Sequence, residues 1–253
     1  MDIKPKGKIG EFFQEYTKYQ YFFSPSDMSK GLPLPEPQQP FPTDAKLINL
    51  PDVKQILPKR TKNFFELVRN RRSLRKYLNK PITLKELTIL LWATQGVTEY
   101  SYGYSLRTVP SAGARHPFET YLSINNVKNL ESGLYRYLPF DDKLLPLKLD
   151  NKIPKYLTQA CLNQEMFEQC AVTFIWCAII QRCRWKYQQR AYRYIYLDAG
   201  HVCQNLYLAC EAMGLGCCAI AAFDDDAVNK IIDVDGLEEF AIYLANVGKI
   251  ERE

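Results

Sequence analysis

The chain mixes two hydrophobic periodicities, one typical of helices and one typical of strands. Helical spacing predicts a short helix near 64–68, a helix opened by the capping box Thr83–Glu86 and closed at Gly96, and a long helix over 191–213. Alternating or continuous apolar runs predict strands at 118–124, 134–138, 144–147, 171–180, 217–223 and 240–247. Because hairpins occur beside crossovers, the pattern predicts an α+β domain rather than a regular βαβ array.

Residues 1–60 differ from the rest of the chain, since they hold nine of its 15 prolines. Proline-rich sequence favours an extended backbone and builds no core of its own. We therefore predict an extended N-terminal arm over 1–60 and one domain over 61–253. The arm carries several aromatic residues, which need apolar surface either on its own domain or on a partner subunit.

Composition excludes several classes of protein. The net charge of +5, from 33 basic and 28 acidic residues, is too small to indicate a nucleic-acid or membrane partner. The longest apolar run, 171–180, is too short to span a bilayer, and no signal peptide is visible, so we expect a cytoplasmic protein. Eight cysteines form no Cys-x-x-Cys pair, which predicts reduced, buried thiols and no metal site.

Three segments have the composition of ligand-binding loops. Residues 71–75 carry three guanidinium groups and a hydroxyl, which suits a phosphate, although a solvated basic turn or a nucleic-acid patch has the same composition. Residues 109–117 place small residues between two prolines, so the backbone can approach a flat ligand; taken alone, this is an ordinary loop. Residues 214–219 match the letters of the dinucleotide fingerprint, but they follow a helix and open a strand, which excludes that interpretation.

The three segments, in this order, resemble the nitroreductase-like flavoprotein superfamily and, within it, the SagB-type azoline dehydrogenases. Arg-Arg-Ser-Leu-Arg is similar to the family's phosphate motif, and Pro-Ser-Ala-Gly-Ala is similar to the flavin loop of that branch. Further similarity lies at 133–137, 191–201, 204–209 and 214–217, so the resemblance runs from about 62 to 249. It implies a nitroreductase-like fold, in which helices wrap a mainly antiparallel sheet, and an intimate homodimer with FMN at each interface. We accordingly expect the arm to wrap the other subunit.

The resemblance also implies roles for individual residues. The FMN phosphate and ribityl chain would be held by Arg71, Arg72, Ser73 and Arg75, completed from the C-terminus by Lys249 and Arg252. The isoalloxazine would be lined, from the other protomer, by Pro110, Ser111, Ala112 and Ala114. Backbone contacts near the reactive ring edge would come from Ala221 and Ala222.

Lys186 and Tyr187 look like the Lys-Tyr pair with which SagB-type enzymes oxidise thiazolines and oxazolines. That oxidation removes a proton from carbon while hydride passes to the flavin, so a neutral lysine can serve as the base. Neighbouring cations favour the neutral amine, and three arginines lie close in sequence: Arg182, Arg184 and Arg190. The alternative is a basic surface stretch that precedes the long helix.

Two departures from the branch concern the substrate. Gln188 stands where the branch has glycine, and Arg115-His116 stands where it has an apolar-aromatic pair. His116 suits a ligand role or a structural hydrogen bond, whereas His201 is expected to be structural.

Several functions remain open at this level. The leading hypothesis is an FMN-dependent oxidoreductase acting on a small molecule or a modified peptide, by azoline oxidation or by NAD(P)H-dependent reduction of nitro or quinone compounds. The competing hypotheses are a non-catalytic basic binding module and a protein that consumes its own FMN.

Overall fold

The computed structural model describes residues 7–251 and contains nine helices and nine strands in that range. The helices are α1 Ile9–Tyr16, α2 Val53–Ile56, α3 Phe64–Asn70, α4 Leu84–Gln95, α5 Ile153–Ala160, α6 Met166–Gln169, α7 Ile180–Tyr187, α8 Ala191–Met213 and α9 Asp225–Ile232. The strands are β1 Ile48–Asn49, β2 Val97–Ser101, β3 Tyr104–Arg107, β4 Phe118–Ile124, β5 Gly133–Leu138, β6 Lys143–Lys148, β7 Val172–Ile179, β8 Leu215–Ile220 and β9 Glu239–Lys249.

Seven strands form one antiparallel sheet in the order β1-β6-β5-β4-β7-β9-β8. All eight residues of the central strand β7 are buried. Its side chains alternate between two apolar clusters: Phe174 and Trp176 face α4 and α8, while Ile175 and Cys177 face α5, α6 and α9. Helices thus cover both faces of the sheet, which confirms the predicted α+β fold class.

Helix α8 is the longest helix in the described chain, with 23 residues. A row of buried residues at helical spacing joins it to the sheet: Ile195, Ala199, Val202, Leu206 and Cys210. The helix ends at Gly214, whose φ of 73° is the left-handed conformation that a glycine adopts without strain.

Most of the predicted elements are confirmed, including the Thr83–Glu86 capping box, and the differences have local causes. The strand predicted at 217–223 is β8, which ends at Ile220, so Ala221 and Ala222 lie beyond the sheet. The β2–β3 hairpin, which the apolar pattern does not predict, lies in a Tyr/Ser/Gly-rich stretch whose composition is typical of a loop. The basic stretch before α8 is itself helical, as α7, and buries Cys183 and Trp185.

The arm contacts its own domain, and its wrapping of another subunit stays a prediction. Its extended backbone leaves carbonyl groups free, and buried arginines of the domain donate to them. Arg107 donates to Pro37 O (3.1 Å) and Arg182 to Glu36 O (2.8 Å). Arg136 donates to Pro40 O (2.7 Å). Polar contacts of this kind dock a segment that has few backbone donors.

The predicted boundary at residue 60 also needs correction. Strand β1 pairs with β6 through Ile48 and Leu144, and Leu50 belongs to the core. The last part of the proline-rich region is therefore an edge of the main sheet.

The eight cysteines are all buried free thiols, as expected. Burial raises the pKa of Cys161, Cys170 and Cys183 to about 12, so these thiols stay protonated. Among residues 7–251, no helix is long and apolar enough to cross a membrane.

Two arginines of α7 form ion pairs that differ in burial. Arg182 pairs with Glu119 and both side chains are almost fully buried, whereas Arg184 pairs with Glu238 at the surface. We expect Arg182→Met to lower the free energy of unfolding by about 3 kcal/mol or more, because Glu119 loses its closest buried partner. Arg184→Met, the matched control, should cost about 1 kcal/mol or less. Denaturant unfolding measures both, and equal losses would contradict this assignment.

Candidate functional site

The basic segment predicted to hold a phosphate lies against the β8–β9 edge of the sheet. Leu74 N donates to Cys217 O (2.9 Å) and Leu78 N donates to Lys249 O (2.8 Å). The approach is close because Gly248 has no side chain; a Cβ there would lie 2.9 Å from Tyr77 Cδ1. The sheet edge thereby fixes the backbone from which Arg71, Ser73 and Arg75 project.

The cations of this segment fall into two groups. In the described part of the chain, neither Arg71 nor Arg75 has a carboxylate partner; Arg71 lies over the Tyr207 ring, 5.2 Å from its centroid. Arg72 instead donates to Arg69 O and Arg71 O at the end of α3 (2.8 and 2.9 Å). Two guanidinium groups without a carboxylate partner among the described residues have the chemistry that an anion requires.

Lys249 and Arg252 were predicted to complete the phosphate site. The Lys249 ammonium lies 2.6 Å from Glu86 Oε1, so it already has a carboxylate partner. Arg252 lies outside the described residues.

Tyr207 of α8 ties the basic segment to the end of β8. Its hydroxyl lies 2.8 Å from Ser73 Oγ and accepts from Ala219 N at 2.8 Å. Burial raises the pKa of this phenol, which therefore stays protonated. We call this cluster the basic cradle (Arg71, Ser73, Arg75, Tyr207 and 219–222). Ala221 and Ala222 follow Ile220 and are exposed, and Ala222 O accepts from Gln164 Nε2 (3.2 Å).

The small-residue loop Pro110–His116 is held by a buried aspartate of α8. Asp198 accepts from Ser111 Oγ (2.6 Å) and Ala112 N (3.1 Å). Ser111 Oγ in turn accepts from His116 N (2.9 Å). Burial raises the pKa of Asp198, while the bonds from Ser111 and Ala112 oppose that shift.

Within the loop, three residues have positive φ: Gly113 (59°), Ala114 (53°) and His116 (43°). This backbone is unfavourable for residues with a side chain and persists where contacts hold it. The Asp198 bonds are such contacts.

Lys186 and Tyr187, at the end of α7, meet this loop. A Cβ on Gly113 would overlap the Tyr187 hydroxyl and lie 3.0 Å from Lys186 Nζ. Lys186 Nζ lies 5.5 Å from the centre of the Tyr187 ring, which packs edge-on against Tyr194 at 4.8 Å. The structure therefore brings together two segments that are more than 70 residues apart in sequence. We call this group the loop cluster (110–116, Lys186, Tyr187 and Asp198).

The three arginines near Lys186 in sequence do not form a free cationic group around it. Arg182 pairs with Glu119, and Arg184 pairs with Glu238. Arg190 donates to Thr17 O and to Tyr194 Oη. Each holds the fold or the arm in place.

Arg115 and His116, at which the loop departs from the SagB-type pattern, are both buried. Arg115 lies between the rings of Tyr104 and Trp185, 4.6 and 5.3 Å from their centroids. Burial, together with Arg107 and Arg115 nearby, lowers the pKa of His116 to about 3. His116 is therefore a neutral side chain within the structure.

The two clusters lie on opposite flanks of α8. Asp198 and Tyr207 are nine residues apart, which is about two and a half turns and roughly 13 Å along the helix axis. The core-facing row of α8, with Ala199 and Leu206, runs between them. No hydrogen bond, ion pair or ring contact joins the two clusters within residues 7–251.

Asp198 and Tyr207 received no role from the sequence. Both lie in stretches that carry the family resemblance, but an aspartate and a tyrosine inside an amphipathic helix have no distinctive spacing. The available signal was Asp198 itself, because a carboxylate directly before Ala199, a member of the core-facing row, is unusual beside a core.

The sequence model of the nitroreductase family matches residues 68–249, and the chain belongs to that family. The resemblance to the nitroreductase family seen in the sequence is confirmed. The protein is an oxidoreductase of the nitroreductase family.

The relatives differ in how much of their length is shared. A protein of Methanocaldococcus jannaschii that carries the name nitroreductase (MJ1384) is 33% identical over 81% of this chain and 98% of its own. The microcin B17-processing protein McbC of Escherichia coli is 29% identical over 51% of this chain, and the trifolitoxin-processing protein TfxB of Rhizobium leguminosarum is 28% identical over 65%. The chain spans about half the length of McbC (49%) and TfxB (47%).

Solved structures share the fold. A nitroreductase-type protein from Anabaena variabilis has a TM-score of 0.67 at 26% identity, over 83% of this chain and 42% of that one. The E. coli microcin synthetase McbBCD complex, with truncated pro-MccB17 bound, has a TM-score of 0.61 at 21% identity, over 78% of this chain and 76% of that one.

The buried His116 predicts a pH dependence of stability. The folded protein protonates this group only near pH 3, whereas an unfolded histidine protonates near 6.5. The unfolded state thus binds more protons between those values, so stability rises with pH there, by up to about 1.4 kcal/mol per pH unit.

His116→Asn removes the titrating ring but retains a residue that tolerates positive φ. We expect it to flatten the rise of unfolding free energy between pH 4 and 6. His201→Asn, on the exposed face of α8, controls for the loss of an imidazole. Denaturant unfolding at several pH values measures the slopes, and an unchanged slope in His116→Asn would show that this ring titrates normally.

Proposed function

We propose that the protein is an FMN-dependent oxidoreductase of the SagB type, in which Lys186 and Tyr187 handle the substrate proton beside the flavin. The observation that carries the proposal is the contact of both side chains with Gly113 in the predicted flavin loop. That contact supports the catalytic interpretation of the Lys-Tyr pair over a solvated basic stretch, because it brings both side chains to the predicted flavin loop.

The basic cradle fits the phosphate of FMN. Arg71 and Arg75 carry charge that no described carboxylate neutralises, and Ser73 adds a hydroxyl oriented by Tyr207. Guanidinium groups bind phosphate oxygens bidentately, so the cradle suits a terminal phosphate such as that of FMN. When bound, FMN would supply the two-electron transfer.

The position of the two clusters supports a site shared between two protomers. The basic cradle and the loop cluster occupy opposite flanks of α8, so one flavin would not reach both within a single chain. A homodimer resolves this by joining the cradle of one protomer to the loop cluster of its partner. Exposed apolar residues on α3 and α8 supply surface for such a dimer: Phe64, Phe65, Tyr196 and Leu197.

Lys186 Nζ is the group placed to take the proton. Burial raises the pKa of Tyr187, so its phenol stays protonated and can donate a hydrogen bond beside the amine. A lysine amine that accepts a proton and a phenol that steadies it suit the removal of the proton that leaves carbon while hydride passes to the flavin.

The substrate class that we favour is a modified peptide containing a thiazoline or an oxazoline. Support comes from the names of McbC, a microcin B17-processing protein, and TfxB, a trifolitoxin-processing protein. The second candidate, reduction of nitro or quinone compounds by NAD(P)H, is favoured by MJ1384, which matches over nearly its whole length. Oxidation of a thiazoline peptide by the wild type would support the first candidate. Rapid bleaching of the flavin by NAD(P)H, without that oxidation, would support the second.

Replacing Arg71 and Arg75 with Ala should weaken FMN binding about a hundredfold or more, because each charged hydrogen bond contributes about 1.5–3 kcal/mol. Titration of the apoprotein, followed by quenching of FMN fluorescence, measures the dissociation constant. Lys152→Ala/Lys155→Ala removes two exposed charges near or on α5 and serves as the control. Equal affinities in the two double variants would remove the cradle from the flavin site.

Lys186→Ala should lower substrate oxidation by about 100- to 10,000-fold, the range for losing a general base. Lys186→Arg should fail similarly, since a guanidinium stays protonated. Flavin stoichiometry and the visible spectrum should remain those of wild type, and Lys155→Ala should oxidise substrate normally. Oxidation retained in both Lys186 variants would contradict the proposed role.

A further inference from the structure

Gln188 has a backbone conformation that ordinarily belongs to glycine. Its φ and ψ are 51° and −139°, directly after Lys186 and Tyr187. A side chain is strained in this region, and such strain persists where the surroundings hold the residue in place. A glycine would adopt this backbone freely, so the presence of glutamine calls for a role of its side chain.

The side chain of Gln188 binds the arm. Its Nε2 donates to Ser24 O. The arm is held on both sides of this point: Tyr19 Oη lies 2.8 Å from Tyr194 Oη, and Met28 N donates to Trp185 O at 3.0 Å. Gln188 is therefore the middle anchor of segment 19–29.

Segment 19–29 and the Lys-Tyr pair line a small pocket that is partly open to solvent. Its volume is about 230 Å³, and its walls include Tyr19, Phe22 and Pro25 on the arm and Lys186 and Tyr187 on the domain. Pockets that take drug-sized ligands are larger, about 300–1,000 Å³. The space suits one small ring or one side-chain-sized group.

We propose that Gln188 is a specificity-determining residue: it holds segment 19–29 as the outer wall of this pocket, so that only a small ring or side-chain-sized part of a substrate reaches Lys186. The substrate-selecting role rests on the proposed function, whereas the control of access to Lys186 can be tested without turnover. The arm would then select the reacting group by size and leave the remainder of a larger substrate outside.

The test uses purified full-length protein and two amine-reactive probes of different size. Cyanate is small, and a biotin N-hydroxysuccinimide ester is bulky. For each lysine, peptide mass spectrometry measures the ratio of the rate with cyanate to the rate with the bulky ester. In wild type we expect this ratio to be at least tenfold higher at Lys186 than at the exposed Lys155. In Gln188→Gly this selectivity should fall at least fivefold.

Two further measurements keep the result specific. Hydrogen exchange of segment 19–29 should accelerate in Gln188→Gly, while the melting temperature stays within about 2 °C of wild type or rises, because glycine accepts the strained backbone. Tyr19→Phe, which keeps the ring under Arg190 but loses the bond to Tyr194, controls for loss of one peripheral arm contact and should retain most of the size selectivity.

The outcomes separate the two proposals. Unchanged exchange in the arm, or unchanged probe selectivity at Lys186 despite a released arm, would overturn the role of Gln188. A protein without flavin or without substrate oxidation would overturn the proposed function and leave the probe result to stand by itself.

Discussion

Helix α8 imposes the constraint on which the arrangement of the site depends. Its core-facing row binds the sheet, so its two flanks are fixed in space, and each flank carries one polar residue directed at a different segment. Asp198 holds the loop Pro110–His116 on one flank. Tyr207 holds Ser73 and Ala219 on the other. The helix thereby keeps the loop cluster and the basic cradle apart within one chain.

The N-terminal arm illustrates how a segment without its own core is nevertheless ordered. Proline removes backbone donors and leaves carbonyl acceptors, and buried guanidinium groups of the domain donate hydrogen bonds to these carbonyls. Arg107, Arg136 and Arg182 each donate to an arm carbonyl. Arg136 and Arg182 also pair with the buried Glu119, so arm docking and domain stability depend on shared residues.

The sequence predicts those elements whose signals are local. The capping box at Thr83, the glycine stop at Gly214 and the continuous apolar run of β7 all mark structure in their immediate surroundings. The β2–β3 hairpin was missed because its composition is that of a loop, and α7 was missed because its charged residues find partners far away in sequence.

The candidate site was predictable in part for the same reason. The basic segment and the small-residue loop have distinctive compositions, so resemblance locates them. The contact of Gly113 with Lys186 and Tyr187 depends on the tertiary fold, and so does the role of Asp198. The strain at Gln188 is likewise a backbone property that a residue type does not reveal.

Subunit complementation tests the shared site most directly. Arg71→Ala/Arg75→Ala protein and Lys186→Ala protein are each expected to be inactive; they are mixed and allowed to exchange subunits. If the cradle of one protomer works with the loop cluster of its partner, half of the dimers are mixed and each holds one intact site, so about a quarter of wild-type oxidation should return. No recovery, with exchange verified by differently tagged chains, would show that each chain builds its site alone and would contradict the account.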